Sequence, residues 1–107
     1  MSPGGEGVVR GDGDPLFVPF ALPGETIRLD EAGALAEVVS PSPDRVEPFC
    51  PAFGRCGGCR MQHLSLAAYA NWKRETVQRA LDRAGFALEV SPTIIAHGRG
   101  RRRAIVH

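Results

Sequence analysis

All three cysteines of this chain fall within ten consecutive residues, CPAFGRCGGC, from Cys50 to Cys59. No other feature restricts the fold as strongly. Gly54, Gly57 and Gly58 surround the second and third thiols, and Pro51 follows the first. Such a segment cannot be the interior of a helix or strand, since glycine loses the most entropy on ordering and proline donates no backbone hydrogen bond. It has to be a loop. The spacing is C-x5-C-x2-C, with His63 four residues further on. Three readings are open. The thiols and His63 would complete a tetrahedral Cys3His zinc site. They would equally supply three ligands of an iron–sulfur cluster whose fourth lies elsewhere. The bland reading is an unligated loop, in which three neighbouring free thiols are exposed to oxidation. The spacing of radical S-adenosylmethionine clusters, with three residues in the first gap, is not met.

On either side of the loop the chain changes character. The first half is punctuated by turn residues and predicts short strands over Gly7–Arg10, 16–20, 25–30 and 34–40. Pro19 implies an edge or a bulge in the second of these. In the third, Ile27 and Leu29 alternate with Arg28 and Asp30, as in a half-buried strand. The proline-rich stretch 41–48 reads as an extended connector. Several short strands with tight turns suggest a small barrel.

After the loop, Ser65 is placed to cap a helix and Gly85 to end it. Between them Tyr69, Trp72, Val77, Ala80, Leu81 and Ala84 recur at helical spacing on one stripe. Tyr69 and Trp72 are expected to pack that stripe into a core. FALEV (86–90) is a further strand candidate, SPT a break, and the tail HGRGRRRAIVH the opening of another strand. The expectation is an α+β chain: a β-barrel region over 1–48, a cysteine loop over 49–64, a helix over 65–85 and the start of a further β element over 86–107.

Charge divides along the same line. Residues 1–54 carry a net −6 and residues 55–107 a net +7, although the whole chain of 107 residues is close to neutral at +1. Twelve of the 13 basic residues are arginine, a side chain suited to bidentate contact with phosphate. The opening MSPGGEGVVRGDGD has neither the basic nor the apolar region of a secretory signal, and LFVPFAL is too short to span a bilayer. A cytoplasmic protein with reduced thiols is expected, not associated with a membrane.

Taken whole, CPAFGRCGGCRMQHLSLAAYANWKRETVQRAL resembles the cluster loop and following helix of the RNA uracil-5 methyltransferase family, whose members carry a CPxFGxCGGCxxQH-like loop. Upstream, FVPFALPGETIRL resembles the TRAM module of these enzymes, a small OB-like barrel, and SPDRVEPFCP the link into the loop. VSPTIIAHGRGRRRAIVH resembles the start of their catalytic part. The resemblance implies that Cys50, Cys56 and Cys59 ligate a 4Fe-4S cluster whose fourth cysteine comes much later, and this sequence has no fourth cysteine. It implies that His63 is no ligand but caps or packs beside the helix start, with Gln62 and His63 as further candidates for cluster-shell or RNA contact.

The family transfers a methyl group from S-adenosylmethionine to C5 of uridine, using a cysteine nucleophile, a general base and a Rossmann-like domain. None of that machinery is in these residues. The glycines of GGEGVVRG miss the dinucleotide spacing and read as a loop. S-adenosylmethionine is therefore expected only in a longer protein.

The partner implied is RNA, ribosomal rather than transfer RNA, and not DNA. Arg55, Arg60, Lys73, Arg74, Arg101, Arg102 and Arg103 are the candidate contacts, set against a solvated helix face and ordinary strand-edge charge. Phe17, Phe20 and Phe53 are placed either to stack on bases or to fill the core. A free-standing Cys3His zinc adaptor and an inert fragment are the rival readings.

Overall fold

The computed structural model describes residues 1–95. Four strands and one helix follow in the order β1 (Gly7–Val9), β2 (Leu16–Val18), β3 (Thr26–Leu29), β4 (Leu35–Ser40) and α1 (Leu66–Arg83). The chain is thus α+β, as the sequence suggests. It divides into two compact units, Met1–Tyr69 and the residues from Ala70 onward.

In the first unit, β1 and β2 form one antiparallel hairpin, with Gly7 opposite Val18 and Val9 opposite Leu16. β2 stops before Pro19, where the ladder would lose its donor. β3 and β4 form a second hairpin, irregular between Thr26 and Ile27 and between Arg28 and Leu29. The Asp30 side chain builds its turn by accepting the Ala32 and Ala34 amides at 2.9 Å each. Among the described residues the two hairpins are separate two-stranded sheets, so closure into the expected barrel is not part of the observed pairing.

Among the described residues the apolar core is small: Val18, Ala21, Leu22 and Leu64. Gly7 is required by it. A Cβ at that position would stand 2.8 Å from the Cβ of Ala21, closer than real side chains come.

Helix α1 is bounded as expected. Ser65 Oγ accepts the Ala68 amide at 3.3 Å, an N-cap bond. At the other end Gly85 has φ 84°, with its amide bonded to the Asp82 carbonyl and that of Phe86 to Leu81. This is a Schellman motif.

Two expectations fail beyond the caps. None of the helix residues is buried, so Tyr69 and Trp72 do not pack into a core within the described residues; Val77 is 51% exposed. FALEV is not a strand. The physical reason is that helix side chains have taken its backbone groups. Gln78 receives the Val90 amide and donates to the Leu88 carbonyl, both at 2.8 Å, and Arg74 Nε donates to the Val90 carbonyl at 2.7 Å. A backbone satisfied in this way has no need of a ladder partner. The strand expected in the tail lies outside the described residues.

Candidate functional site

The cysteine loop is held at its two ends. At its entry the Cys50 amide donates to Gln62 Oε1 at 3.2 Å. Within the loop, Phe53 N bonds the Cys50 carbonyl at 3.0 Å and Cys56 N the Ala52 carbonyl at 2.9 Å, tight turns that Gly54, at φ 86°, permits. Arg55 donates to the Pro51 carbonyl at 3.2 Å. All three thiols are free; Cys50 is half-buried while Cys56 and Cys59 are exposed.

By chemistry this donor set fits a thiophilic metal or cluster. The donors are not converged, however. Among the described residues no three His, Cys, Asp or Glu side chains stand together to hold a metal ion.

His63 faces elsewhere. It is 1% exposed, with its ring 5.8 Å from Phe20 and 5.6 Å from Phe53, and those two rings meet edge to face at 5.3 Å. Phe20 and Phe53 thus pack against one another and against His63, as one of their two readings had it, while each remains half-buried; Phe17 is exposed. A histidine in this aromatic cluster gives the Cys3His zinc reading no support. Among the described residues neither ring nitrogen of His63 has a hydrogen-bond partner, although the Val46 amide donates to its carbonyl at 2.9 Å.

Behind this cluster lies an ion pair that sequence reasoning missed. The Glu25 side chain is 0% exposed and that of Arg45 23%. Arg45 grips the carboxylate with two bonds, Nε at 2.5 Å and Nη2 at 2.8 Å, and its Nη2 also donates to the Phe20 carbonyl at 2.7 Å. The amides of Leu22 (2.9 Å) and Ser42 (3.2 Å) complete the set. Phe20 is held at φ 67° there, a left-handed conformation costing a non-glycine residue roughly 1 kcal/mol. The only sequence signal is compositional, since Arg45 is one of three arginines among nine acids in residues 1–54.

Burial by itself would raise the Glu25 pKa, and it is the largest single influence. Arg45 and the two amides together outweigh it and hold the group at about 2. Burial pushes His63 the other way, below the usual 6.5, helped by the Arg45 charge and opposed by Glu25. Both groups take up more protons when the chain unfolds, so stability rises with pH. The His63 contribution is complete above about 6.5 and lost as pH falls below it. The Glu25 contribution is complete above about 4.5 and lost as pH falls towards 2. Urea midpoints measured across pH are expected to decline in these two windows. His63→Phe removes the first window and leaves neutral-pH stability unchanged within about 1 kcal/mol, or raised, because two unpartnered nitrogens disappear.

The candidate RNA contacts are divided between the two units. Arg55 is tied to its own loop. Arg74 is bonded to Val90 and lies 3.7 Å from Glu89. Lys73 is exposed on the helix, and Arg60 lines a cavity with Glu6 and Phe20. Arg101, Arg102 and Arg103 lie outside the described residues. The described residues contain no helix long and apolar enough to cross a membrane.

No family model matches the chain. Individual proteins do, along nearly its whole length. It is 45% identical over 107 residues to an uncharacterized RNA methyltransferase of Caulobacter vibrioides, covering 96% of this chain and 26% of that protein. With an uncharacterized RNA methyltransferase of Halalkalibacterium halodurans it shares 42% over 100 residues, 84% of this chain and 22% of the relative. The chain is therefore homologous to a segment of RNA methyltransferases and spans about a quarter of their length. A further relative has a more specific name: the 23S rRNA (uracil(1939)-C(5))-methyltransferase of Halomonas elongata, 43% identical over 110 residues, 92% of this chain and 23% of that protein.

Proposed function

We propose that this chain is the N-terminal, RNA-binding and iron–sulfur portion of a longer cytoplasmic enzyme. That enzyme would transfer a methyl group from S-adenosylmethionine to C5 of uridine in RNA, 23S rRNA foremost. The observation that carries the reading is the similarity over nearly the whole chain to a protein named for that reaction. The hairpins of residues 1–48 take the part of a TRAM module. Cys50, Cys56 and Cys59 hold a 4Fe-4S cluster with a fourth ligand from outside these residues. Bound there, the cluster would cross-link the loop and fix its orientation, a structural and RNA-positioning role remote from methyl transfer.

The chain's own residues prepare that site. Gln62 fixes the backbone at Cys50, and the Phe20–Phe53–His63 rings brace the loop from its buried side. Arg60 and Lys73 present positive charge for phosphate.

Labelled-methyl assays test the division of labour. Methyl transfer to C5 of uridine in 23S rRNA is expected from the longer protein and none from residues 1–107 alone; transfer by the short chain overturns the reading. Binding is tested separately by salt. With three or four phosphates neutralised, affinity for single-stranded rRNA is expected to fall about tenfold to a hundredfold between roughly 50 and 200 mM salt. Salt-independent binding would remove the phosphate contacts from the account.

A further inference from the structure

Beside the cysteine loop lies a cavity of about 270 Å³ that the metal reading does not use, lined by Gly4, Gly5, Glu6, Pro19, Phe20 and Arg60. Its polar groups are held in place. The Glu6 carboxylate accepts the Ser2 hydroxyl, and Ser2 is buried at 6% exposure. That hydroxyl in turn accepts the amides of Gly4 and Glu6 at 3.1 Å each, while the Ser2 amide closes the turn on the Glu6 carbonyl at 2.8 Å. The Ser2 bond, then the Glu6 amide, and to a lesser degree Arg60, keep the carboxyl below its usual range. At neutral pH the cavity therefore offers an anion that only accepts hydrogen bonds. Arg60 is exposed and has no ion-pair partner among the described residues. Phe20 is pinned in place by Arg45 through its carbonyl and by Phe53 and His63 against its ring, yet it remains half-buried and lines the cavity.

An aromatic wall, a fixed carboxylate and an exposed guanidinium make a combination suited to one nucleotide. Bases stack on aromatic rings irrespective of sequence, and phosphate is the natural partner of arginine. The carboxylate then selects the base. Guanine alone presents two adjacent donors, N1–H and the N2 amino group, to an acceptor pair. Adenine and cytosine place a ring-nitrogen acceptor beside their amino group, and uracil flanks its single N–H with two carbonyls.

We infer that this cavity takes one unstacked guanine nucleotide of single-stranded RNA, with the base against Phe20, its donor edge on Glu6 and its phosphate on Arg60. The inference rests on the RNA-binding reading above and adds a base preference to it.

Two measurements on the same protein separate the inference from that reading. In the first, the amide NMR signals of Gly4, Gly5 and Glu6 are followed while GMP or UMP is added. GMP is expected to shift them and UMP to leave them in place. Glu6→Gln, which can still accept the Ser2 hydroxyl, abolishes the GMP shift, and Arg60→Gln makes GMP no better than guanosine. In the second, a uridine heptamer with one central guanosine is compared with the all-uridine heptamer, and about a tenfold preference for the former is expected, lost in Glu6→Gln. Equal binding of both heptamers with no GMP shift overturns the guanine site and leaves RNA binding intact. A GMP shift with neither heptamer bound keeps the site and overturns the RNA reading.

Discussion

Replacing Arg45 by methionine is expected to destabilise the Met1–Tyr69 unit by about 3–5 kcal/mol, the usual cost of removing one partner from a buried ion pair. Glu25 is fully covered, and two of the four bonds to its carboxylate come from Arg45. Without the guanidinium a buried charge keeps only the Leu22 and Ser42 amides. The Phe20 carbonyl, in its left-handed turn, loses its donor as well. Small domains have only about 5–15 kcal/mol of stability in total, so the loss is a large fraction. Urea denaturation measures it, and faster amide exchange at Leu22 and Ser42 localises it. The double variant Arg45→Met/Glu25→Gln is expected to recover part of the loss, since glutamine still accepts from an amide without burying a charge. A single-variant cost below about 1 kcal/mol, as for an exposed pair, would show that Glu25 reaches water. The exposed Arg28–Glu37 pair, 2.5 Å apart with side chains 69% and 55% exposed, is the internal control and should contribute little.

The second large effect concerns the thiols. On the proposed iron–sulfur reading, alanine at Cys50, Cys56 or Cys59 in a longer protein purified without oxygen is expected to remove most of the iron and sulfide together, because each of these thiolates would supply a cluster ligand. The visible absorption of the cluster should vanish with the metal. His63→Phe separates the rival chemistries. With His63 inside the Phe20–Phe53 cluster, iron content is expected to stay unchanged; zinc bound by the wild type and lost in His63→Phe would establish the Cys3His site instead. Gln62→Ala, which frees the Cys50 amide, is expected to lower iron occupancy without abolishing it.

Local elements were legible wherever the signal was local. Ser65 and Gly85 bound the helix as their residue types require, and alternation with turn residues located all four strands to within two residues. Pro19 was read as an edge or bulge and in fact ends β2. FALEV failed because strand propensity says nothing about donors arriving from elsewhere, and Gln78 and Arg74 satisfy that segment from the helix. The apolar stripe of α1 has helical spacing, yet spacing cannot reveal whether a partner surface is present, and no helix residue is buried. The cysteine spacing was plain, whereas convergence of the sulfurs is a property of backbone geometry. The Glu25–Arg45 pair was invisible because its members are 20 positions apart, in two separate segments that no spacing pattern joins.

The bonds made by the connector also determine where this module can be cut. Arg45 reaches back to Phe20 and Glu25, Val46 N pairs with the His63 carbonyl, and Ser65 N with the Asp44 carbonyl. A graft of the strands that ended at Ser40 would transplant an orphan carboxylate. The severable seam lies past Ser65, so during shuffling of parts between proteins the hairpins and the cysteine loop have to be inherited as one piece.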